Sequence, residues 1–315
     1  MTIEIAIEPY DRHLPLIEGA VAAVRDHPWT FKEVGQLAVH RDGNDRHERF
    51  LRDGEFQAAE LSLSSYLLYR ENHDDVTALP IFPRRLFSLS NIWVRHDSSA
   101  QSWKDLRGAV IGIPTFQMSL GVVARHDMQA VEGVDWREMA WASSHPENVR
   151  LESPVRRIAA ASLHDALDSG EIDALLTPEI PSDPAFREGA RRLYGARSIE
   201  IERRQLRDNG YAPIMHVIGV RTRILQENPA LARDLLEAFT LAQEMAWTRY
   251  DDPGWGLSFW GRQEIERQDL LSARRHWEHG LEPNRRALEE FRDASFSQGI
   301  LRSRPEIDTL FAPTA

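Results

Sequence analysis

The sequence predicts an α/β fold with more than one compact lobe. Short apolar runs rich in β-branched residues alternate with segments of helical periodicity along the 315 residues, a pattern typical of sheets flanked by helices. The length suffices for two lobes of ordinary domain size, and 42% hydrophobic residues is normal for a globular core. One apolar run, 211–220, carries a single histidine, His216, and predicts a buried strand.

Local patterns predict the other elements in order. The first strand covers 3–7, and polar residues gather where it ends, at Asp11, Arg12 and His13, on the rim where open α/β sheets bind ligands. Further strands are predicted within 31–40, 56–61, 76–82, 90–94, 109–113 and 172–176. Helices are predicted at 14–25, 46–52, 62–66, 102–106 with capping-box spacing, 163–167, from the cap Asn228 to about 247, and from Asn284 to about 299.

Composition excludes several classes of partner and chemistry. The formal net charge of −11 gives no electrostatic case for binding nucleic acid or an anionic membrane. Lysine occurs only at Lys32 and Lys104, so arginine supplies the forks that would hold an anionic ligand. The absence of cysteine excludes thiolate nucleophiles and disulfides. Without a signal segment or a membrane-length apolar window, the protein is expected to be cytoplasmic.

Two interpretations of His216 remain open on the residues alone. A core histidine would be neutral, with both ring nitrogens hydrogen-bonded. A histidine at a strand end that faces a cleft would titrate near neutral pH and move a proton.

Two predicted junctions of a strand with a helix carry polar side chains. Glu60 begins the first, and unpaired N–H groups at such a helix start can bind an anion, so Glu60 is either a partner of the helix or a site residue. Arg85 lies either in a surface turn or in a carboxylate clamp. The candidate ligand-binding residues of the two junctions are Ser62, Ser64 and Tyr66 in the first and Thr115, Gln117, Met118 and Ser119 in the second.

Strong catalytic signatures are absent, including a P-loop, a Gly-x-Ser-x-Gly elbow, a dinucleotide glycine fingerprint and a His-Glu-x-x-His motif. His276 and His279 lie three residues apart without a third ligand nearby, which favours a solvated helix surface over a metal site. We therefore expect no metal and no organic cofactor, although a divalent ion held by Glu60 and Asp11 needs no sequence signature.

The joint order of several short motifs resembles the 4,5-dihydroxyphthalate decarboxylase family along nearly the whole chain. The motifs are Tyr10-Asp11-Arg12 with Pro15-Leu16 after it, Glu60-Leu61-Ser62-x-Ser64-x-Tyr66-Leu67, Ala78-Leu79-Pro80-Ile81-Phe82, Asp105-Leu106-Arg107-Gly108, Gln117-Met118, Gly170-Glu171-Ile172-Asp173-Ala174-Leu175, Pro213-Ile214-Met215-His216 and Gly280-Leu281-Glu282-x-Asn284-Arg285. The resemblance implies the two-lobed fold of type II periplasmic solute-binding proteins, each lobe a mixed sheet flanked by helices. It also implies a discontinuous first lobe of 1–94 plus 213–315, an inserted second lobe of 95–212, and two crossing strands as a hinge.

The resemblance also implies a reaction, the non-oxidative decarboxylation of a hydroxylated aromatic acid in the cleft between the lobes. In that hypothesis His216 protonates the ring carbon, and Glu60 or Asp11 accepts the phenolic proton. Arg12 and Arg85 orient the carboxylates, and the residues of the two junctions, together with His13, bind the substrate. Its expected partners are a small aromatic carboxylate and further copies of the same chain, in a homo-oligomer.

One departure from the family leaves the exact reaction open. The family commonly has an arginine and a histidine after the phenylalanine that matches Phe87, whereas this chain has Ser88 and Leu89. Two alternatives therefore stand beside the decarboxylase. One is a non-catalytic solute-binding protein for a small aromatic or carboxylic acid, and the other is a cofactor-biosynthesis enzyme on the same fold.

Overall fold

A computed structural model describes residues 2–21, 28–35, 46–145, 155–180, 183–269 and 275–314. The strands within these ranges are β1 (Ile3–Ile7), β2 (Trp29–Glu33), β3 (Ala58–Ser62), β4 (Val76–Leu79), β5 (Ile92–Arg95), β6 (Val110–Ile113), β7 (Ala140–Ser143), β8 (Val155–Arg157), β9 (Ala174–Leu176), β10 (Ala190–Arg192) and β11 (His216–Arg221). The α-helices are α1 (Leu14–Ile17), α2 (Arg46–Leu51), α3 (Leu63–Arg70), α4 (Ser119–Glu132), α5 (Leu163–Asp168), α6 (Pro184–Gly189), α7 (Arg197–Asn209), α8 (Thr222–Glu227), α9 (Leu231–Arg249), α10 (Gly261–Asp269) and α11 (Arg285–Ser297). Short 3-10 helices cover Asp11–His13, Leu89–Asn91, Trp103–Leu106, Trp136–Glu138, Arg275–Trp277, Glu282–Asn284 and Ile307–Thr309.

The chain divides into two compact units, each with its own sheet. Unit 1 comprises Met1–Arg85, Met215–Glu289 and Pro305–Ala315, and unit 2 comprises Leu86–Ile214 and Glu290–Arg304. These bounds differ from the division at 94 and 213 that the resemblance implies. The difference arises because β5 pairs with β9 and β10 in the sheet of unit 2, and because the end of α11 also belongs to unit 2. The hinge stays a prediction.

The sheet of unit 1 has the strand order β2-β1-β3-β11-β4. Strand β1 pairs in parallel with β2 and β3, whereas β11 runs antiparallel to both β3 and β4. The carboxyl ends of β1, β3 and β4 therefore lie at the same edge as the first residue of β11. The core of this unit packs β1 and β11 against α9 through buried side chains that include Ile5, Ile218, Leu235 and Phe239.

The sheet of unit 2 has the order β10-β5-β9-β6-β7-β8. Strands β9, β6, β7 and β8 are mutually parallel, and β5 runs antiparallel to β9 and β10. Its core includes Trp93, Leu175 and Phe186. The end of β6 leads through the turn at 114–118 into α4, so backbone N–H groups at the start of a long helix lie at the carboxyl end of the parallel strands.

Three predicted elements differ from the structure. The first helix stops at Ile17, and Gly19 then adopts a left-handed conformation with φ of 72°, which suits glycine better than any other residue. Residues 22–25 of that prediction, and 36–40 of the second predicted strand, lie outside the described residues. The strand predicted at 211–220 begins only at His216, because Pro213 has no N–H and the Met215 N–H bonds to the Arg84 carbonyl oxygen.

The third difference concerns the predicted cap at Asn228. An additional helix, α8, precedes it, and the Asn228 side-chain amide donates to the Ile224 carbonyl oxygen of that helix at 2.9 Å. Asn228 thus ends α8, and its own carbonyl oxygen accepts from Leu231 at the start of α9. No helix in the described part of the chain is long and apolar enough to cross a membrane.

Candidate active site

A buried carboxylate and a buried imidazole contact each other between neighbouring strands β3 and β11 of the unit 1 sheet. His216 Nδ1 lies 2.5 Å from Glu60 Oε1, and the two residues are 8% and 0% exposed. Glu60 lies opposite Ile218 in the antiparallel ladder, and His216 lies two residues before Ile218 on the same face. Diagonal neighbours of this kind come within reach of long side chains, so the register of β3 and β11 forms the pair.

Glu60 is held as an ionised group by several donors. Arg46 Nη2 lies 3.7 Å from Glu60 Oε1, and the Glu8 backbone N–H donates to Glu60 Oε2 at 3.1 Å. Burial alone would raise the pKa of Glu60, but Arg46 and His216 hold it well below its usual value. Glu60 has no exposed surface, and both of its oxygens are engaged by protein groups, while its role as acceptor of a phenolic proton stays a prediction.

The Glu60 contact determines how His216 can act. An ionised carboxylate only accepts hydrogen bonds. His216 Nδ1 therefore carries a hydrogen and donates a hydrogen bond to Glu60. The remaining nitrogen, Nε2, has no hydrogen bond to a described residue, and the side chain keeps 10% of its surface exposed. Burial lowers the pKa of His216 to about 3, although the hydrogen bond with Glu60 opposes this shift.

Two residues of helix α2, Arg46 and His47, contact the Glu60–His216 pair. Arg46, at the first position of α2, also donates to the Glu60 carbonyl oxygen at 2.8 Å and forms an ion pair with Glu8 at 3.1 Å. His47 approaches His216 edge to face, with ring centroids 5.6 Å apart. Arg46 is 5% exposed, so it is a structural partner of the carboxylates and not a surface cation.

Asp11 and Arg12 form an ion pair after the end of β1. Arg12 Nη1 lies 3.0 Å from Asp11 Oδ1, and the Tyr250 hydroxyl donates to Asp11 Oδ2 at 2.6 Å. Burial would raise the pKa of Asp11, but the Tyr250 hydrogen bond and the charge of Arg12 lower it. The Asp11 side chain remains 40% exposed, so it is the more accessible of the two predicted proton acceptors.

Arg12 is fixed by neighbours on three sides. Its guanidinium carbon lies 4.0 Å from the centre of the Tyr10 ring and 4.9 Å from that of Trp277, and its Nε donates to the Pro83 carbonyl oxygen at 2.5 Å. Stacking between aromatic rings orients a guanidinium without neutralising its charge.

Arg85 is buried, with 5% exposure, which excludes the interpretation as a surface turn. Its Nη2 donates to Asn284 Oδ1 at 2.5 Å and to the Glu278 carbonyl oxygen at 3.3 Å. Burial lowers the pKa of Arg85 to about 9. An anionic ligand beside this group would offset the cost of desolvating its charge.

Two polar atoms near the end of β1 are buried without a hydrogen-bond partner among the described residues, Tyr10 Oη and His13 Nε2. His13 Nδ1 donates to the Glu8 carbonyl oxygen at 2.7 Å, so its Nε2 is a proton acceptor. Burial lowers the pKa of His13 to about 4. Since buried polar atoms are rarely left unsatisfied, this spot suits a hydroxyl or a water molecule.

His279 belongs to the same edge of unit 1, although sequence analysis favoured a solvated helix surface. It lies in a loop, where its Nδ1 accepts from the Phe82 backbone N–H at 3.2 Å. Burial and the nearby charges of Arg85 and Arg12 lower the pKa of His279 to about 3. No local pattern could have found it, because the loop meets 82–85 only in the folded chain.

The hydroxyl side chains of the first junction differ in their use. Ser62 caps α3, its Oγ accepting from the Ser65 N–H, and Ser64 is fully buried. The ligand-binding role of Tyr66 stays a prediction, and its hydroxyl has a structural use. Its hydroxyl donates to the Leu310 carbonyl oxygen and accepts from the Ala78 N–H, so it joins α3 to the backbone of the core.

The residues of the second junction lie in unit 2. Thr115, Gln117 and Met118 occupy the turn between β6 and α4, and Ser119 is the first residue of α4. Gln117 and Ser119 are 4% exposed each. A ligand-binding role for this turn stays a prediction.

Ser88 and Leu89, the two residues at which the chain departs from the family pattern, also lie in unit 2. Ser88 Oγ donates to Asp127 Oδ2 at 2.5 Å, and Leu89 is fully buried. Both residues therefore contribute to the packing of unit 2. Among the residues that the structure describes, no group of three or more His, Asp or Glu side chains could hold a metal ion.

Comparisons with known proteins bear on the resemblance. No protein-family model matches the chain. The 4,5-dihydroxyphthalate decarboxylase of Comamonas testosteroni is 28% identical over 342 aligned positions, which cover 100% of this chain and 97% of that protein. The protein of the same name from Pseudomonas putida is 29% identical over 194 positions, or 58% of this chain and 72% of that protein. The resemblance to these carboxy-lyases is confirmed.

Solved structures bear on the fold. The periplasmic aliphatic sulphonate binding protein SsuA from Escherichia coli matches with a TM-score of 0.57 at 12% identity, over 99% of this chain and 97% of that one. The putative periplasmic sulfonate-binding protein SsuA from Methylobacillus flagellatus KT gives 0.58 at 14% identity, over 99% and 92%. These likenesses confirm the predicted two-lobed fold of periplasmic binding proteins.

Proposed function

We propose that this chain, which is similar along its length to a 4,5-dihydroxyphthalate decarboxylase, removes a carboxyl group from a hydroxylated aromatic dicarboxylic acid such as 4,5-dihydroxyphthalate. The observation that carries the proposal is the Glu60–His216 pair, a buried carboxylate that fixes the tautomer of an imidazole whose second nitrogen can meet a ligand. This is the arrangement that proton transfer to carbon requires.

The anionic substrate would be bound by guanidinium groups of unit 1. Arg12 and Arg85 supply two positive charges close to the loop at 277–279, and paired carboxylates on an aromatic ring suit planar forks. The incoming negative charge also acts on His216. It raises the pKa that burial has lowered, so that substrate binding increases the fraction of His216 that is protonated.

The chemical step consumes one proton. His216 Nε2 donates a proton to the ring carbon that carries the carboxylate, and the hydroxyl para to that carbon loses its proton and becomes a carbonyl. Asp11, the exposed acceptor, takes that proton. The bond from the ring carbon to the carboxylate then breaks, carbon dioxide leaves, and the electron pair restores the aromatic ring and a phenolate, which is reprotonated.

Glu60 acts in this proposal through His216. Its negative charge beside Nδ1 stabilises the imidazolium and orients Nε2, in the way that a buried carboxylate supports a catalytic histidine in other enzymes. Glu60 is thus a positioning residue, and the role of phenolic acceptor passes to Asp11.

The test is to incubate purified protein with 4,5-dihydroxyphthalate and related hydroxylated aromatic acids, following carbon dioxide release and thermal stabilisation together. We expect release with at least one acid, and His216→Gln should retain less than about a tenth of it, since positioned acid–base groups contribute about 10²–10⁴-fold. His96→Gln, at an exposed position, is the matched control. Stabilisation without release from any acid would instead indicate a binding protein.

A further inference from the structure

The loop that carries His279 is fixed against the segment after β4 by several backbone contacts. The Phe82 N–H donates to His279 Nδ1 at 3.2 Å, and Arg85 Nη2 donates to the Glu278 carbonyl oxygen at 3.3 Å. On the other side of the loop, the Asn284 side-chain amide donates to the Glu278 carbonyl oxygen at 2.9 Å. The position of the His279 ring is therefore determined by the fold of unit 1.

These contacts also fix the tautomer of His279. A backbone N–H can only donate, so Nδ1 must be the acceptor, and a neutral ring then carries its proton on Nε2. No other hydrogen bond joins His279 to a described residue. Nε2 is not among the fully buried unpartnered atoms of the described chain. His279 is half-buried, and its Nε2–H is a donor without a hydrogen-bond partner among the described residues.

Two guanidinium groups contact the same loop. Arg12 stacks 4.9 Å from the ring centre of Trp277 and bonds to the Pro83 carbonyl oxygen. Arg85 bonds to Glu278 and lies 5.7 Å from the ring centre of Phe82. The charge of Arg12 is paired with Asp11, whereas Arg85 donates to two neutral groups, the Glu278 carbonyl oxygen and Asn284 Oδ1. The Arg85 charge beside this loop would therefore attract an anion, and Arg12 would add hydrogen-bond donors.

We propose that His279 is a substrate-binding residue whose Nε2–H donates to an anionic oxygen of the aromatic dicarboxylate that Arg12 and Arg85 bind. A neutral donor adds direction to an anion site without the cost of desolvating a third positive charge. The inference rests on the proposed function for the identity of the ligand, an aromatic 1,2-dicarboxylate.

Two substitutions separate the binding role from the structural one. Asparagine places an amide oxygen where His279 has Nδ1, so His279→Asn retains an acceptor for the Phe82 N–H and loses the Nε2–H donor. Glutamine reaches the position of Nε2, so His279→Gln retains a donor and loses the acceptor. His276→Asn, three residues earlier, is the control on the neighbouring turn.

The experiment measures the affinity of the full chain for phthalate, the unreactive ring dicarboxylate, together with thermal unfolding and turnover of 4,5-dihydroxyphthalate. We expect His279→Asn to weaken phthalate binding about tenfold or more, since hydrogen bonds to charged groups are the strong ones, with an unchanged unfolding midpoint. His279→Gln should stay within about threefold of the wild-type affinity and unfold at a lower temperature.

An unchanged phthalate affinity in His279→Asn would overturn the inference, and so would a loss of affinity in both variants that tracks their loss of stability. Turnover by the wild type would preserve the proposed function in either case. Phthalate binding that depends on His279, without carbon dioxide release, would preserve the inference and overturn the decarboxylase. A wild type that neither binds phthalate nor releases carbon dioxide would overturn both.

Discussion

Acidification should destabilise this protein through its buried histidines, above the pH at which most of its carboxylates are protonated. Burial lowers the pKa values of His13, His216 and His279 to about 4, 3 and 3, whereas an unfolded histidine titrates at about 6.5. Between these values the unfolded chain binds more protons than the folded one, so the free energy of unfolding falls as the pH falls. The stability is fully present above about pH 6.5 and is lost toward pH 3–4.

The magnitude follows from the shifts. A pH of about 5 lies some 1.5 units below the pKa of an unfolded histidine. Each of the three histidines therefore lowers the free energy of unfolding by about 2 kcal/mol at this pH, or about 6 kcal/mol together. Asp127 has the opposite effect on stability, because burial raises its pKa to about 6. The folded state therefore binds this proton more readily than the unfolded state, which raises the free energy of unfolding by about 1 kcal/mol at this pH. The net loss of about 5 kcal/mol is comparable to the whole stability of many domains.

Urea unfolding followed by circular dichroism at about pH 7 and pH 5 checks the prediction. His13→Asn should lower the pH-dependent loss by about 2 kcal/mol, roughly two-fifths of it, since asparagine retains a donor for the Glu8 carbonyl oxygen but does not titrate. His96→Asn, at an exposed position, should leave the loss unchanged. A difference below about 2 kcal/mol between the two pH values, or one that His13→Asn does not alter, would refute the reasoning.

Three further predictions concern residues with distinct roles. Glu60→Gln should lower the rate of carbon dioxide release by at least about 10²-fold and the free energy of unfolding by about 3–5 kcal/mol, because Arg46 and His216 lose their buried counter-charge; near-normal release would remove Glu60 from the mechanism. Tyr66→Phe should cost about 1–3 kcal/mol in urea unfolding and leave phthalate affinity unchanged, whereas weaker binding at full stability would support its predicted role in the site. We propose a homo-oligomer that covers Leu257 and Phe259, which are 104% and 90% exposed. Replacing both by serine should reduce the mass measured by analytical ultracentrifugation to that of one chain, and a wild type that is already a monomer would contradict this.

The sequence predicted those parts of the site whose signal is local. His216 stood out because its neighbours along the chain are apolar, and Glu60 because it begins a strand-to-helix junction. Arg46 carried no such signal, since its partners Glu8 and Glu60 lie 38 and 14 residues away. His279 was assigned to a solvated surface, because its contact with Phe82 spans 197 residues.

Local patterns also predicted element types better than element ends. The apolar run 211–220 indicated a strand correctly, yet the strand starts at His216, where pairing with β3 begins, and pairing with β4 begins at Ile218. Tyr66 was placed in the site by its position in a motif, although its hydroxyl is used by backbone groups of Leu310 and Ala78. Sequence periodicity reports which face of an element is buried, but not what a polar group meets there.

The central place of β11 has a consequence for biosynthesis. Strands β3 and β4 follow each other in the sequence but do not pair with each other in the sheet. Strand β11 lies between them and pairs with both. During translation the facing edges of both strands therefore stay unpaired until the ribosome has reached Arg221. Open strand edges promote aggregation of incomplete chains. A nascent chain that stalls or is cut at Ile214 should therefore require chaperone protection, whereas one extended through Arg221 can close the sheet and assemble the Glu60–His216 pair in the same step.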